Sequence, residues 1–320
     1  MNFKIQGISL NFSSNFNEPL DDYYLEQIKK CKILSFGLRF NQNVDNIPNN
    51  VRQILFSFDF NQPVDNLPTE IMIIDFSYYF NKSVDFLPIG LKCLSLGPKF
   101  NQPIDNLPTN LKKLYIHNCA NELNVKIYHS DILNKSDAEG IFNQPVSNLP
   151  SGLKSLSILS SEFNQQINNL PTDLEQLEVG QSFNYPIDNL PKNLKYLTLG
   201  LYFDHPVDNL PENLKELCLS RDFNQKLRNL PNNITKLYIF HKFSHSLNHL
   251  PDSIEELNIG VQKMLSGCWG HSGFRFAFNK IFKKLPANLK KMRINSLYPH
   301  TQQLAELLGD KLEIVDHLGR

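Results

Sequence analysis

The chain has 320 residues with 41% apolar content, enough to bury a sizeable core, and 32 basic residues balance 32 acidic ones. That balance leaves no electrostatic pull toward nucleic acid or an anionic membrane, so neither is expected as a partner. No run of about 18 apolar residues occurs, so no transmembrane helix is expected, and five cysteines with no pairing pattern read as reduced thiols in an intracellular, cytoplasmic protein.

The opening stretch, MNFKIQGISLNFSS, carries one Lys and no continuous apolar core, so a signal peptide is not expected. Residues 1–30 read as a degenerate N-terminal coil or cap. Leu10 and Phe12 keep strand register relative to Phe16, and DDYYLEQIKK predicts a turn of helix. From residue 31 to 294 one unit recurs with a period of 20 residues. Its Phe falls at Phe40, Phe60, Phe80 and Phe100, then at Phe142, Phe163, Phe183, Phe203, Phe223, Phe243 and Phe278. A period in this range is the signature of a solenoid, whose units bury their apolar faces only against one another.

Within the copy FNQPIDNLPTNLKKLYI, Phe100 to Ile116, the spacing Leu111, Leu114, Ile116 is the short-strand pattern of leucine-rich repeats. Alternation sends Leu114 and Ile116 inward and Tyr115 outward. One strand per coil predicts a single parallel β-sheet, and about twelve coils at roughly 4.8 Å make a body on the order of 60 Å long. Pro108 and its equivalents sit three residues before each strand, where they fix φ and need no ladder bond. With Asn, Asp and Pro so frequent, the return arms should be extended or turn-like. Recurrent Asn after the Phe (Asn61, Asn101, Asn184) and before Leu-Pro (Asn66, Asn106, Asn189) can bond backbone groups that have no sheet partner. The Phe positions should stack as a buried aromatic column.

Two departures interrupt the period. Phe100 to Phe142 spans 42 residues, placing an inserted loop or a decayed coil near 118–141, with the polar NKSDAEG favouring the loop. Phe243 to Phe278 spans 35, and the extra residues near 261–277 hold the only Trp, Trp269, beside Cys268 and His271. Residues 295–320 read as a C-terminal cap, with HTQQLAELLGDK a short amphipathic helix ending at Gly309.

The string Phe-Asn-x-Pro-Val/Ile-Asp-x-Leu-Pro, as in Phe60 to Pro68, and in Phe203 to Pro211 with Asp204 for Asn, resembles the FNIP repeat, a leucine-rich-repeat relative of social amoebae and amoebal giant viruses. The resemblance covers most of residues 16 to 294. It implies a mainly β, leucine-rich-repeat-like solenoid with extended return arms, acting as an interaction scaffold and, where an F-box precedes the repeats, as a substrate-recognition adaptor. Too little helical sequence precedes these repeats for an F-box. The Asn ladder position that follows the strand in ordinary leucine-rich repeats varies here, and the Phe-Asn pair takes its place.

No phosphate-binding Gly loop, nucleophile elbow or His-Glu metal helix occurs, so no enzyme, cofactor or metal is expected. Cys268 with His271 gives too few ligands for zinc. One Asp per coil (Asp45, Asp65, Asp85, Asp105, Asp188, Asp208) fits turn capping better than calcium. The expected function is protein binding by a monomer through the outward strand positions, with Tyr115, Tyr196 and Tyr238 as anchors, or through Trp269. A merely solvated face, or a Trp269 folded onto a coil edge, are the competing readings. A secreted or surface recognition protein is the alternative, which glycans at the sequon of Asn81 would support.

Overall fold

A computed structural model describes residues 2–117, 140–261 and 276–315. It divides into an N-terminal unit, Met1–Gln165 with Asn169–Leu174, and a C-terminal unit, Gln166–Asn168 with Glu175–Arg320. Each is a parallel β-solenoid with one short strand per coil.

In the N-terminal unit β1 (Phe3–Gln6) and β2 (Ser9–Phe12) form an antiparallel hairpin. After β2 comes α1 (Asp22–Ile28), capped by the Asp21 carboxylate accepting from the Tyr24 N–H. Parallel pairing then runs from β2 through β3 (Ile33–Ser35), β4 (Gln53–Leu55), β5 (Ile73–Asp75), β6 (Cys93–Leu96) and β7 (Lys113–Ile116) to β8 (Ser155–Ile158). The register aligns Leu10, Leu34, Ile54, Ile74, Leu94, Leu114 and Leu156 in one buried file. Period-2 alternation inside a stacked coil produces that file, because every second side chain of each strand points into the coil. β7 pairs directly with β8, and Phe100 stacks directly on Phe142 at 6.0 Å, so no coil stands between them.

The C-terminal unit repeats the scheme with β9 (Gln176–Val179), β10 (Tyr196–Thr198), β11 (Glu216–Cys218), β12 (Lys236–Ile239), β13 (Glu256–Ile259) and β14 (Lys291–Asn295). Helix α2 (Thr301–Leu308) follows, buries Leu304, and ends at Gly309 with φ 52, a left-handed conformation that Gly adopts without a Cβ clash. The LEIV segment then adds β15 (Leu312–Val315), parallel to β14, so the terminal segment supplies a further coil as well as a helix.

The return arms of the regular coils hold no helix. Each closes into its strand by a turn in which the Pro carbonyl accepts from the N–H three residues on: Ile71 to Pro68 at 3.2 Å, Leu111 to Pro108 at 3.0 Å, Leu214 to Pro211 at 3.1 Å. The Phe column is present in both units. Rings of Phe40, Phe60, Phe80 and Phe100 stack at 6.1, 6.1 and 6.2 Å, and those of Phe183, Phe203, Phe223, Phe243 and Phe278 at 6.1, 6.4, 6.3 and 6.2 Å. Tyr298 continues the second file at 5.7 Å from Phe278. Each buried ring contributes roughly 1.5 to 3 kcal/mol by area alone.

Candidate functional site

The outward strand positions differ between the units. In the N-terminal unit the file Leu55, Asp75, Ser95, Tyr115, Ser157 runs across β4 to β8, beside Cys93 and Ser155. All of these except Ser95 are buried, while in the file of Cys93 and Ser155 the side chains of Gln53 and Ile73 are half-buried and Lys113 is exposed. Tyr115, read from the sequence as an outward anchor, keeps the expected register but is only 4% exposed, so it offers no accessible ring. Asp75 is 6% exposed, and burial pushes its carboxyl up to about 6 against the pull of a Ser95 hydrogen bond.

Across β10 to β14 the file Tyr196, Glu216, Lys236, Glu256, Lys291 alternates in charge over its last four members. Lys236 pairs with Glu256 at 3.4 Å, and Lys291 and Arg293 converge on Glu313 at 2.8 and 2.9 Å. Both cations hold the Glu313 carboxyl below its ordinary range. Tyr196 is 44% exposed. Tyr238 is half-buried, and its phenol is raised by burial and then by the Glu216 and Glu256 carboxylates. Trp269, Cys268 and His271 lie outside the described residues.

On the return arms the Phe-Asn pair forms a coil-to-coil ladder. The N–H groups of Asn41, Asn61, Asn81 and Asn101 each donate to the Oδ1 of the Asn one coil earlier at 2.9 Å, and Asn143 and Asn164 extend the ladder at 3.0 Å. Gln42, Gln62, Gln144 and Gln165 add a bond from Nε2 to the carbonyl of that same Asn. In the C-terminal unit His205 and His245 occupy the Gln position and reach Asn184 and Asn224 carbonyls at 3.0 and 2.8 Å. A carbonyl only accepts, so Nε2 carries the proton in both rings.

A second amide column crosses the coils: the Nδ2 groups of Asn110, Asn213 and Asn233 donate to the carbonyls of Ile89, Lys192 and Glu212. The Asn before Leu-Pro behaves differently from expectation, since Asn106 and Asn209 donate to the carboxylates of Asp85 and Asp188 rather than to backbone. A carboxylate one coil below is the stronger acceptor. Among the described residues no group of three metal-ligating side chains converges. The Asn81 oxygen accepts from the Asn101 N–H and from Gln102, so this sequon residue is a rung of the ladder.

Models of the FNIP repeat match residues 80–119, 142–182, 163–202, 183–222 and 203–242. No curated protein matches the chain. Among solved structures it is similar to CroV588 of a giant virus, described as a novel circular LRR protein, at 29% identity and a TM-score of 0.57 over 93% of this chain. It spans about half of that protein, 51% of its length. A second similar structure is YopM from Yersinia enterocolitica WA-314, at 17% identity and a TM-score of 0.29, over 83% of this chain and 73% of that one.

Proposed function

From the match of FNIP-repeat models to residues 80–119 and 142–242 we propose that the chain is a non-enzymatic protein-binding scaffold that works inside the cell. The observation that carries this reading is the outward face of β9 to β14, where each coil adds two side chains in fixed register. Tyr196 is accessible there, and Tyr238 is half-buried between acidic neighbours. Aromatic rings that present area at low entropy cost, within a polar surround, are the usual anchors of such surfaces. The buried Cys31 thiol forms no disulfide, which fits a reducing compartment. Among the described residues no helix is long and apolar enough to cross a membrane.

The test is affinity capture from amoebal lysate with the intact chain, a Tyr196→Ala/Tyr238→Ala variant and a Trp269→Ala variant, with bound proteins identified by mass spectrometry. One dominant partner lost with the tyrosines places the contact on the sheet face; loss with Trp269 moves it to that residue. Co-recovered ubiquitin-ligase components support a substrate-recognition adaptor. A capture profile no different from that of an unrelated bait sinks the scaffold reading.

A further inference from the structure

Equal numbers of acids and bases conceal a segregation along the return arms. The fifth residue after the Phe is Asp45, Asp65, Asp85 and Asp105, then the neutral Ser147 and Asn168, then Asp188 and Asp208. In the next three coils the same position holds Arg228, Asn248 and Lys283. Their arms, FNQKLRNLP, FSHSLNHLP and FNKIFKKLP, contain Lys226, Arg228, Lys280, Lys283 and Lys284, with His245 and His249, and no acidic residue.

These cations are exposed, and among the described residues Lys226, Arg228, Lys280 and Lys283 form no ion pair; only Lys284 does, with Asp252 at 3.0 Å. Elsewhere in the C-terminal unit the strand-face charges neutralise one another across coils. The uncompensated cations lie on the first and third of these arms, with the His245 and His249 arm between them, and their mutual repulsion costs stability that an anionic partner would return.

We propose that the return arms of the coils opened by Phe223, Phe243 and Phe278 bind an acidic polypeptide segment in extended conformation, lying across the arms from coil to coil. The proposal rests on the scaffold reading and names its partner's chemistry. The period supports a peptide. Successive Phe rings in these coils are 6.3 and 6.2 Å apart, which sets the step between equivalent arm positions. An extended chain places alternate side chains on one face about 6.8 Å apart, so successive same-face residues meet successive arms and carboxylates four residues apart face the cations of the first and third. Ile281, 48% exposed in the third arm, gives such a chain an apolar contact. A single-stranded nucleic acid needs exposed aromatic rings for its bases, and the described residues of these arms present none: Phe282 is buried.

Arg228→Asp and Lys283→Asp test the surface without threatening the fold, because Asp is the residue that six other coils carry there. The probe is a fluorescein-labelled peptide of about twelve residues alternating Glu and Ala, long enough to cross the three arms, read by fluorescence anisotropy. The intact chain should bind it, the double variant at least about tenfold more weakly, and binding should fall as salt rises from about 50 to about 200 mM. Equal binding by the double variant, or tighter binding of an oligothymidylate than of the peptide, overturns the proposal. A captured partner retained in full by the double variant also overturns it and leaves the scaffold standing. A chain that captures no partner yet binds the peptide through Arg228 and Lys283 sinks the scaffold reading alone.

Discussion

In the first coils of the N-terminal unit the residue that closes the inward strand file is Phe36, Phe56 or Phe76, stacked at 3.9, 4.0 and 3.7 Å on the Phe that opens the next arm, and from β6 to β8 it is Leu96, Ile116 and Ile158. In the C-terminal unit that residue is Val179, Leu199, Leu219, Ile239 or Ile259, and a single aromatic file remains. The outward faces differ too: in the first unit Leu55, Asp75, Cys93, Tyr115, Ser155 and Ser157 are buried and Lys113 is exposed, whereas in the second Glu216, Lys236, Glu256 and Lys291 carry charges at the surface, with Cys218 and Asn258 buried. Since both keep the Phe column and the N–H to side-chain oxygen ladder, those two columns define the coil. What the strand ends with, and what it shows outward, is free to vary. The first coils have used that freedom for packing, β10 to β14 for surface chemistry.

The largest test of this contrast is truncation of one ring in each unit. Phe60→Ala should cost about 3 to 5 kcal/mol, and about 0.5 to 1.5 kcal/mol more than Phe203→Ala, because Phe60 also loses the close stack on Phe56. Urea midpoints of the two variants check this, and equal losses would remove the second aromatic file as a source of stability. Next is Asp75, whose carboxyl is raised in the folded chain to about 6. A raised carboxyl binds its proton in the folded state over a range where the unfolded chain has released it, so stability falls as pH rises from about 4 to about 6. Asp75→Asn should therefore gain about 2 to 3 kcal/mol at pH 7 and nothing below about pH 4; thermal melts at both pH values decide, and a gain that does not vary with pH would count against it.

Smaller is the ladder. Asn61→Ala leaves the Asn81 N–H without its acceptor and should cost about 1 to 3 kcal/mol, whereas Asn61→Asp keeps an acceptor oxygen and should recover most of it. Failure of Asp to rescue would mean that the Asn serves through packing. The smallest effect belongs to the C-terminal face: Glu256→Gln breaks the pair with Lys236, in which both side chains stay about one-third or more exposed, and should change stability by no more than about 0.5 kcal/mol. A larger loss would show that this face is part of the framework rather than free for recognition.

The period, the inward file and the Phe-Asn pair are legible in the sequence because each depends on side-chain type at fixed spacing. Helix α1 and helix α2 are legible for the same reason, from their apolar spacing and from Gly309. Accessibility is not. Alternation fixes the direction in which Tyr115 and Tyr196 leave their strands but not what surrounds them, and one is buried while the other is open. Asp75 carried a signal that spacing does not register: a carboxylate in a file otherwise filled by Leu55, Ser95, Tyr115 and Ser157. The reversal from Asp208 to Arg228 to Lys283 is visible only once the coils are laid over one another, because whole-chain charge sums it away.

The ladder has one more property. What each rung supplies is an oxygen, and at one rung nature has already replaced the amide: Asp204 accepts from the Asn224 N–H at 2.8 Å and from Gln225 at 3.1 Å, as an Asn does elsewhere. Exchange of a further rung Asn for Asp removes an amide nitrogen and leaves that oxygen in place. Such a molecule gains negative charge along its arms while its coils stay fastened, and its isoelectric point should drop while its melting temperature holds.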